Sequence, residues 1–98
     1  MRKAAPKIAR KYVISGRVQG VGFRYFAERW ANLLGIAGYV KNNWDGTVEA
    51  YAIGDAASLD EFRRQLGEGP STGHVSAVRE SEENVNPRYS HGFSIEDL

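Results

Sequence analysis

The apolar residues of this chain change their spacing across one glycine-rich segment. Residues 7–15 alternate between an apolar side and a mixed side, as a half-buried β-strand does. From residue 23 the apolar residues recur at helical spacing, and Gly35 stands where a helix commonly ends. The pattern therefore predicts a strand over 7–15, a loop over 16–22 and an amphipathic helix over 23–34. The apolar stripe of that helix comprises Phe23, Phe26, Ala27, Trp30, Leu33 and Leu34.

The rest of the chain continues this alternation of strands and helices with short connections. Two alternating runs flank an Asp-Gly pair, which is a strong signal for a hairpin. Ser58 is followed three residues later by Glu61, the spacing of a capping box, so we predict that the second helix begins there. The alternation over 74–83 is interrupted, which indicates a bulge. The predicted elements are strands over 38–42, 47–53 and 74–83, a second helix from Ser58 to Gly67, and a last short strand at Phe93 and Ile95.

The order of elements is strand, helix, strand, strand, helix, strand, with a short piece of strand at the end. Two strand–helix–strand units with amphipathic helices predict an α+β fold, the ferredoxin-like βαββαβ sandwich. We expect an antiparallel sheet of four long strands with two helices on one face, to which the C-terminal piece can add a short fifth strand. Right-handed crossovers would place the first and third strands side by side at the centre.

The length and composition are those of a small globular protein. Ninety-eight residues suffice for one hydrophobic core, so we expect a single domain over 1–98, with the basic residues 1–7 as a flexible N-terminal tail. The absence of cysteine excludes disulfides, thiolate metal sites and cysteine nucleophiles. No apolar stretch resembles a signal-peptide core or approaches the roughly 20 residues of a membrane helix. We therefore expect a cytoplasmic protein without a membrane partner.

The net charge is small but unevenly distributed along the chain. A net charge of +1 argues against a dedicated nucleic-acid binder. Residues 1–41 carry nine Lys and Arg against one Glu, or +8, whereas residues 42–98 carry four against eleven acidic residues, or −7. This asymmetry predicts an electropositive surface for a small anion, unless folding mixes the two halves and cancels it.

The loop before the first helix has the composition of an anion-binding turn. In GRVQGVGFR, residues 16–24, the glycines let successive peptide N–H groups turn inward, and the free N–H groups at the helix start add to the attraction. Arg24 lies in the first helical turn, where a cation opposes the helix dipole unless an anion such as phosphate is bound. The alternative is a turn needed only for geometry, with Arg24 exposed and idle. The glycine spacing matches neither a Walker loop nor a dinucleotide fingerprint.

The other polar residues limit what a bound phosphate could undergo. His74 and His91 lack ligand-like spacing, and the acidic run over 80–83 is typical of a solvated face rather than a Mg²⁺ site. No nucleophile is evident, so water must attack directly, and a carboxamide can orient a water molecule without changing its charge. Asn42, at a predicted strand end, is a stronger candidate than Asn43, which a turn accounts for. Without a strong acid or base we expect only an activated phosphate to react, such as a carboxyl phosphate, whose leaving group has a pKa near 4.

Two long motifs stand in the order and register that one known family has. GRVQGVGFR over 16–24 matches the family's first signature at each position, and GYVKNNWDGTVEAYAIG over 38–54 matches its second without a miss. On these motifs the chain closely resembles the acylphosphatases. The resemblance extends over residues 8–97 and implies a small ferredoxin-like enzyme that hydrolyses the carboxyl-phosphate bond of acyl phosphates, giving a carboxylate and inorganic phosphate.

The resemblance also implies roles for individual residues. Arg24 would bind the phosphate and Asn42 would orient the attacking water. The family implies no metal and no cofactor, an acyl phosphate as small-molecule substrate, and inorganic phosphate as product and competitive ligand; we expect a monomer that binds no nucleic acid. The backbone amides that would complete the phosphate cradle are those of Gln19, Gly20, Val21, Gly22 and Phe23.

The chain departs from the family pattern after the second helix. There GPSTGHV, residues 69–75, keeps only part of Gly-Pro-Pro-x-Ala-x-Val. We expect this departure to affect the start of the fourth strand and to leave the proposed site untouched.

Two other functions are compatible with the same fold. A binding module could sense a phosphorylated ligand, or contact RNA by stacking bases on the strand residues Tyr12, Tyr39 and Tyr51. The chain also resembles the acylphosphatase-like domain of larger carbamoyl-transfer proteins. We do not favour that assignment, because a chain that ends at Leu98 leaves no room for the other domains.

Overall fold

The structure, a computed structural model, describes residues 6–96. Residues 1–5 of the predicted N-terminal tail lie outside the described range, as do residues 97–98, and Pro6 and Lys7 precede the first strand. The elements are β1 (Ile8–Arg17), α1 (Phe23–Leu34), β2 (Ala37–Asn42), β3 (Val48–Gly54), α2 (Ala56–Glu68), β4 (His74–Glu83), a short 3₁₀ helix (Pro87–Tyr89) and β5 (Phe93–Glu96).

The five strands form one sheet in the order β4-β1-β3-β2-β5. β1 is antiparallel to both β3 and β4, and β2 is antiparallel to β3. β5 pairs in parallel with β2, which makes the sheet mixed. The predicted βαββαβ order, the central pairing of the first and third strands, and the short fifth strand are confirmed.

The two helices pack on one face of the sheet and enclose the main hydrophobic core. Burying each large apolar side chain contributes about 1.5–3 kcal/mol to folding, so this layer supplies most of the stabilisation. The helices contribute Phe23, Ala27, Ala31, Leu59, Phe62 and Leu66, and the sheet contributes Tyr12, Ile14, Val40, Val48, Ala50, Ala52 and Phe93.

Helix α1 has the predicted bounds but a narrower buried stripe than its spacing suggested. Leu33 is 66 % exposed, although the sequence placed it in the stripe. At 100° per residue, Leu33 lies roughly 120° around the helix from the buried Ala27, beyond the arc that faces the sheet.

The N-cap of helix α2 lies three residues before Ser58, the N-cap that the capping-box spacing predicted. Its N-cap is Asp55, whose carboxylate accepts the backbone N–H of Ser58 at 2.8 Å. This hydrogen bond holds the pKa of Asp55 below its ordinary value. Ser58 as N-cap was therefore wrong, because Asp caps a helix as well as Ser does and Asp55 comes first after β3. The Glu61 carboxylate pairs instead with Arg64, at 2.6 Å.

Strand β4 has the predicted bounds and contains the predicted irregularity. Ser15 of β1 pairs with Ala77, but the next residue, Gly16, pairs with Val75. Ser76 is thus left without an opposite residue, as in a β-bulge. The bulge lies where β1 passes into the loop before α1.

Candidate active site

The strand order brings the ends of β1 and β2 to one edge of the sheet. β3 lies between these two strands and is antiparallel to both, so β1 and β2 run in the same direction. At the start of β3, Val48 pairs with Ile14 on one side and with Asn42 on the other. Two strand spacings, or roughly 10 Å, separate Ile14 from Asn42. The loop that follows β1 and the end of β2 are therefore neighbours, although they are distant in sequence.

Residues 18–22, the glycine loop, join β1 to α1. Gly20 and Gly22 have φ of 73° and 79°, in the left-handed region that favours glycine. Left-handed residues placed between right-handed ones turn successive N–H groups towards one side. Gly22 is also the N-cap of α1, and no side chain in the described part of the chain caps this helix. The amides at the start of α1 are thus available to an anion.

Arg24 and Asn42 line the same small cavity. Both side chains are half-buried, Arg24 in the first turn of α1 and Asn42 as the last residue of β2. The cavity has a volume of about 90 Å³. Pockets for drug-sized ligands measure roughly 300–1,000 Å³, so this one suits a small anion. Its lining residues are Val18, Gly20, Gly22, Phe23, Arg24, Tyr25 and Asn42.

Two of the predicted cradle residues, Gln19 and Val21, are not among the lining residues. The side-chain nitrogen of Gln19 donates to the carbonyl oxygens of Asn43, at 2.8 Å, and Thr47, at 2.9 Å. The carbonyl oxygen of Val21 accepts a hydrogen bond from the Thr72 hydroxyl at 2.7 Å. Both contacts join segments that are distant in sequence, so the local pattern around Gln19 and Val21 predicts only a role for their backbone amides.

The contact of Thr72 links residues 69–75 to the glycine loop. Thr72 stands at an unspecified position of Gly-Pro-Pro-x-Ala-x-Val, from which the chain departs at Ser71 and Gly73. The expectation that this departure leaves the site untouched therefore stays a prediction. The start of β4, which the departure put in doubt, is nevertheless at the predicted residue, His74.

The structure separates the two neighbouring asparagines. Asn43 is part of the turn between β2 and β3: its N–H donates to the Thr47 carbonyl at 2.9 Å and its side chain donates to the Thr47 hydroxyl at 3.1 Å. That hydroxyl donates in turn to Asp45 at 2.6 Å, which holds the pKa of Asp45 below its ordinary value of 3.8. A turn therefore accounts for Asn43, whereas Asn42 faces the cavity.

The uneven charge of the two halves of the sequence is mixed by folding. The basic strand β1 lies beside the acidic strand β4. Arg10 of β1 pairs with Asp60 at 2.7 Å and with Glu80 at 3.4 Å. The attraction for an anion therefore has to come from local groups such as Arg24 and the loop amides.

The tyrosines that RNA binding would need are largely covered. Tyr12 is fully buried between the sheet and α2, and Tyr51 is 6 % exposed. The Tyr51 hydroxyl donates to the carbonyl of Asn84 at 2.6 Å, so the segment after β4 crosses this face of the sheet. A bare stacking platform of strand aromatics is therefore not present on the described sheet.

A larger cavity does not coincide with the converging site residues. It measures about 480 Å³, is lined by Tyr39, Tyr51, Tyr89 and residues 83–87, and shares no lining residue with the smaller cavity. We assign the site to the smaller cavity, because it alone of the two joins a guanidinium, a carboxamide and glycine-loop backbone.

Metal-binding side chains are not clustered within residues 6–96. No group of three or more His, Asp or Glu side chains there could hold a metal ion, and His74 and His91 are both exposed. Over the same range, neither α1 nor α2 has the length and apolar character of a membrane-crossing helix.

Comparison with known proteins identifies the family. The acylphosphatase family model matches residues 10–95. The acylphosphatase of Actinobacillus succinogenes is 45 % identical over 89 residues, which cover 91 % of this chain and 98 % of that protein. The crystal structure of acylphosphatase from Bacillus subtilis matches with a TM-score of 0.85 at 36 % identity, covering 91 % of this chain and 98 % of that one. Full-length HypF in its phosphate- and nucleotide-bound form matches with a TM-score of 0.88 at 30 % identity, over 97 % of this chain but 12 % of HypF. The chain therefore belongs to the acylphosphatase family and is an enzyme that hydrolyses acyl phosphates.

Proposed function

We propose that the small cavity binds the phosphate group of a carboxyl phosphate and that a water molecule oriented by Asn42 attacks it. The observation that carries this proposal is the convergence of Arg24, Asn42 and the glycine loop on one cavity of about 90 Å³. The glycine loop and Arg24 adjoin in sequence, and the fold brings Asn42, at the end of β2, to the same cavity.

The binding half of the site consists of Arg24 and backbone amides from Gln19 to Phe23. A guanidinium can hold two phosphate oxygens at once, and amides at a helix start attract the same charge. A cation in the first turn of a helix, where Arg24 lies, opposes the helix dipole by about 0.3–1 kcal/mol, and a bound phosphate reverses that sign. Because these groups meet the charge of the phosphate, we expect the reaction to need no metal ion and no cofactor.

The reaction is a direct displacement at phosphorus. The water oxygen forms a bond to phosphorus while the bond between phosphorus and the acyl oxygen breaks. The electron pair of the broken bond leaves with the carboxylate. The proton released by the water passes to a phosphate oxygen of the substrate. Since the leaving carboxylate has a conjugate acid with a pKa near 4, it departs without a general acid. Asn42 contributes by fixing the approach of the water, which a carboxamide does without a change of charge.

Steady-state hydrolysis of benzoyl phosphate in the presence of a chelator tests this assignment. Arg24→Gln should nearly abolish turnover and weaken competition by inorganic phosphate. Asn42→Ala should lower kcat by about 10²–10³, the usual cost of one preorganised contact, while inorganic phosphate still binds. A simple phosphate monoester should be hydrolysed far more slowly than benzoyl phosphate.

Asn43→Ala is the matched control, because it removes the same carboxamide from the neighbouring position. The wild-type Asn43 side chain donates to the Thr47 hydroxyl within the turn. We therefore expect Asn43→Ala to lose some stability and to keep a kcat close to that of the wild type. The assignment is wrong if Asn43→Ala loses as much activity as Asn42→Ala, or if Arg24→Gln hydrolyses benzoyl phosphate normally.

We also infer that the chain acts as a single domain. Both helices and four strands contribute to one core cluster, and the second, smaller cluster around Tyr51 lies on the opposite face of the same sheet.

A further inference from the structure

The side chain of Gln19 bridges the glycine loop and the turn that follows Asn42. It is half-buried and donates two hydrogen bonds, to Asn43 at 2.8 Å and to Thr47 at 2.9 Å. Both acceptors are backbone carbonyl oxygens, which cannot donate. The side-chain nitrogen of Gln19, which carries two hydrogens, must therefore be the atom that faces them.

Each of the two carbonyls also accepts a hydrogen bond within the turn. The Thr47 carbonyl accepts the Asn43 N–H at 2.9 Å and the Asn43 carbonyl accepts the Gly46 N–H at 3.3 Å, so each uses its second lone pair for Gln19. The carbonyls of Asn43 and Thr47 thus meet the same external donor at the point where β2 and β3 separate. Asn43 directly follows Asn42, so the bridge holds the backbone within one residue of the cavity.

We propose that the Gln19 side chain is a positioning residue that sets the distance between the glycine loop and Asn42. This role rests on the proposed function, and it is separate from the contribution of the Gln19 backbone amide to the cradle. With the bridge in place, a phosphate on the loop and a water on Asn42 meet at a fixed separation. Without it, the turn can move relative to the loop while Arg24 and the loop glycines keep their own conformations.

Gln19→Met tests the bridge, because methionine has a similar length and no hydrogen to donate. We expect kcat for benzoyl phosphate to fall by roughly 10- to 100-fold, since small displacements of an orienting group are costly. The inhibition constant of inorganic phosphate should stay within about threefold of the wild-type value, as for an ordinary surface substitution. Gln65→Met is the matched control: Gln65 also donates from a buried carboxamide, to Glu61 at 2.8 Å on α2, and does not line the cavity. It should leave kcat unchanged.

Gln19→Glu adds a readout that a purely structural role would not move. Its carboxylate cannot donate to the two carbonyls, whereas the protonated carboxyl can donate to one of them. Facing two carbonyl oxygens raises the pKa of that carboxyl above its usual value of about 4.3. The ratio of its kcat to that of the wild type should therefore rise as the pH falls towards about 5, and the same ratio for Gln19→Met should stay flat.

The outcomes separate this inference from the proposed function. If the wild type does not hydrolyse benzoyl phosphate, the proposed function fails, and the positioning role fails with it. If the wild type is active and Gln19→Met keeps its kcat within about twofold of it, only the positioning role is overturned. The same conclusion follows if kcat and phosphate affinity fall together by one factor, or if the Gln19→Glu ratio does not change with pH.

Discussion

The hydroxyl of Thr72 should control the affinity of the site for phosphate, although Thr72 does not line the cavity. Its hydroxyl donates to the Val21 carbonyl at 2.7 Å from the loop between α2 and β4. That carbonyl and the N–H of Gly22 belong to one peptide unit. The described peptide bonds are all trans, and a trans peptide points its C=O and N–H in opposite directions. Holding the carbonyl towards Thr72 therefore holds the Gly22 N–H away from Thr72, and Gly22 lines the cavity.

The expected effect can be bounded from the strength of this hydrogen bond. A net contribution of about 0.5–1.5 kcal/mol is typical, and Thr72 is exposed. This is the free energy by which the anchor, the hydrogen bond from Thr72 to Val21, favours the inward orientation, in which the Gly22 N–H points away from Thr72. Because a bound phosphate can turn the amide inward itself, the loss in affinity cannot exceed the strength of the anchor. Thr72→Val should therefore weaken the binding of inorganic phosphate by roughly 2- to 13-fold.

The assay is competitive inhibition of benzoyl phosphate hydrolysis by inorganic phosphate, supported by calorimetric titration with phosphate alone. Thr72→Val keeps the shape of threonine without the hydroxyl, and we expect KM and the inhibition constant to rise together with little change in kcat, as for a loss of uniform binding. Thr72→Ser keeps the hydroxyl and should bind phosphate as the wild type does. Ser71→Ala controls for the loss of an exposed hydroxyl from the adjacent residue.

Two results would refute this reasoning about Thr72. If Thr72→Val binds phosphate as tightly as the wild type, the anchor does not orient the amide. If Thr72→Ser binds as weakly as Thr72→Val, the hydroxyl is not the group responsible.

Two further predictions concern stability. The buried Tyr12 hydroxyl donates to the Leu59 carbonyl at 3.2 Å, so Tyr12→Phe should cost about 0.5–1.5 kcal/mol in urea unfolding at neutral pH. Burial raises the pKa of Tyr12 above its ordinary value of 10.0, so the folded state keeps a proton that the unfolded state releases. Wild-type stability should therefore fall as the pH rises above about 10, and the deficit of Tyr12→Phe should shrink there; a constant deficit contradicts this. Leu66→Ala should cost about 2–5 kcal/mol, because Leu66 is fully buried, whereas Leu33→Ala should change stability by less than about 0.5 kcal/mol. Equal losses in thermal melts would show that Leu33 is packed.

The fold could be predicted from local patterns because each element carries its own signal. Helix α1 has a full apolar stripe between a glycine loop and Gly35, and its bounds were predicted correctly. The start of α2 was not, because Asp55 and Ser58 are both good N-caps and spacing alone does not rank them. Leu33 was placed in the core because the spacing of apolar residues does not give the width of the helix face that becomes buried.

The candidate site could be predicted only in part, for a different reason. Arg24 and Asn42 lie in motifs, so residue type and position identify them without any knowledge of distance. The contacts of Gln19 and Thr72 join segments far apart in sequence, and nothing in their local sequence indicates the partner. Such side-chain to backbone contacts depend on where the fold places two loops, which local patterns do not encode.

The two contacts act on different parts of the proposed reaction because they connect the glycine loop to two different segments of the chain. Gln19 connects the loop to the turn after Asn42, so in the proposed reaction it would affect where water stands relative to phosphorus. Thr72 connects the loop to the segment before β4, so it would affect the amide proposed to meet the phosphate. The two share no partner residue, but both restrain one short loop, and sites coupled through a shared stretch of backbone do not simply add. A loop rich in glycine has little rigidity of its own, and tethers from two sides restrain it, as the proposed binding of phosphate by its amides requires.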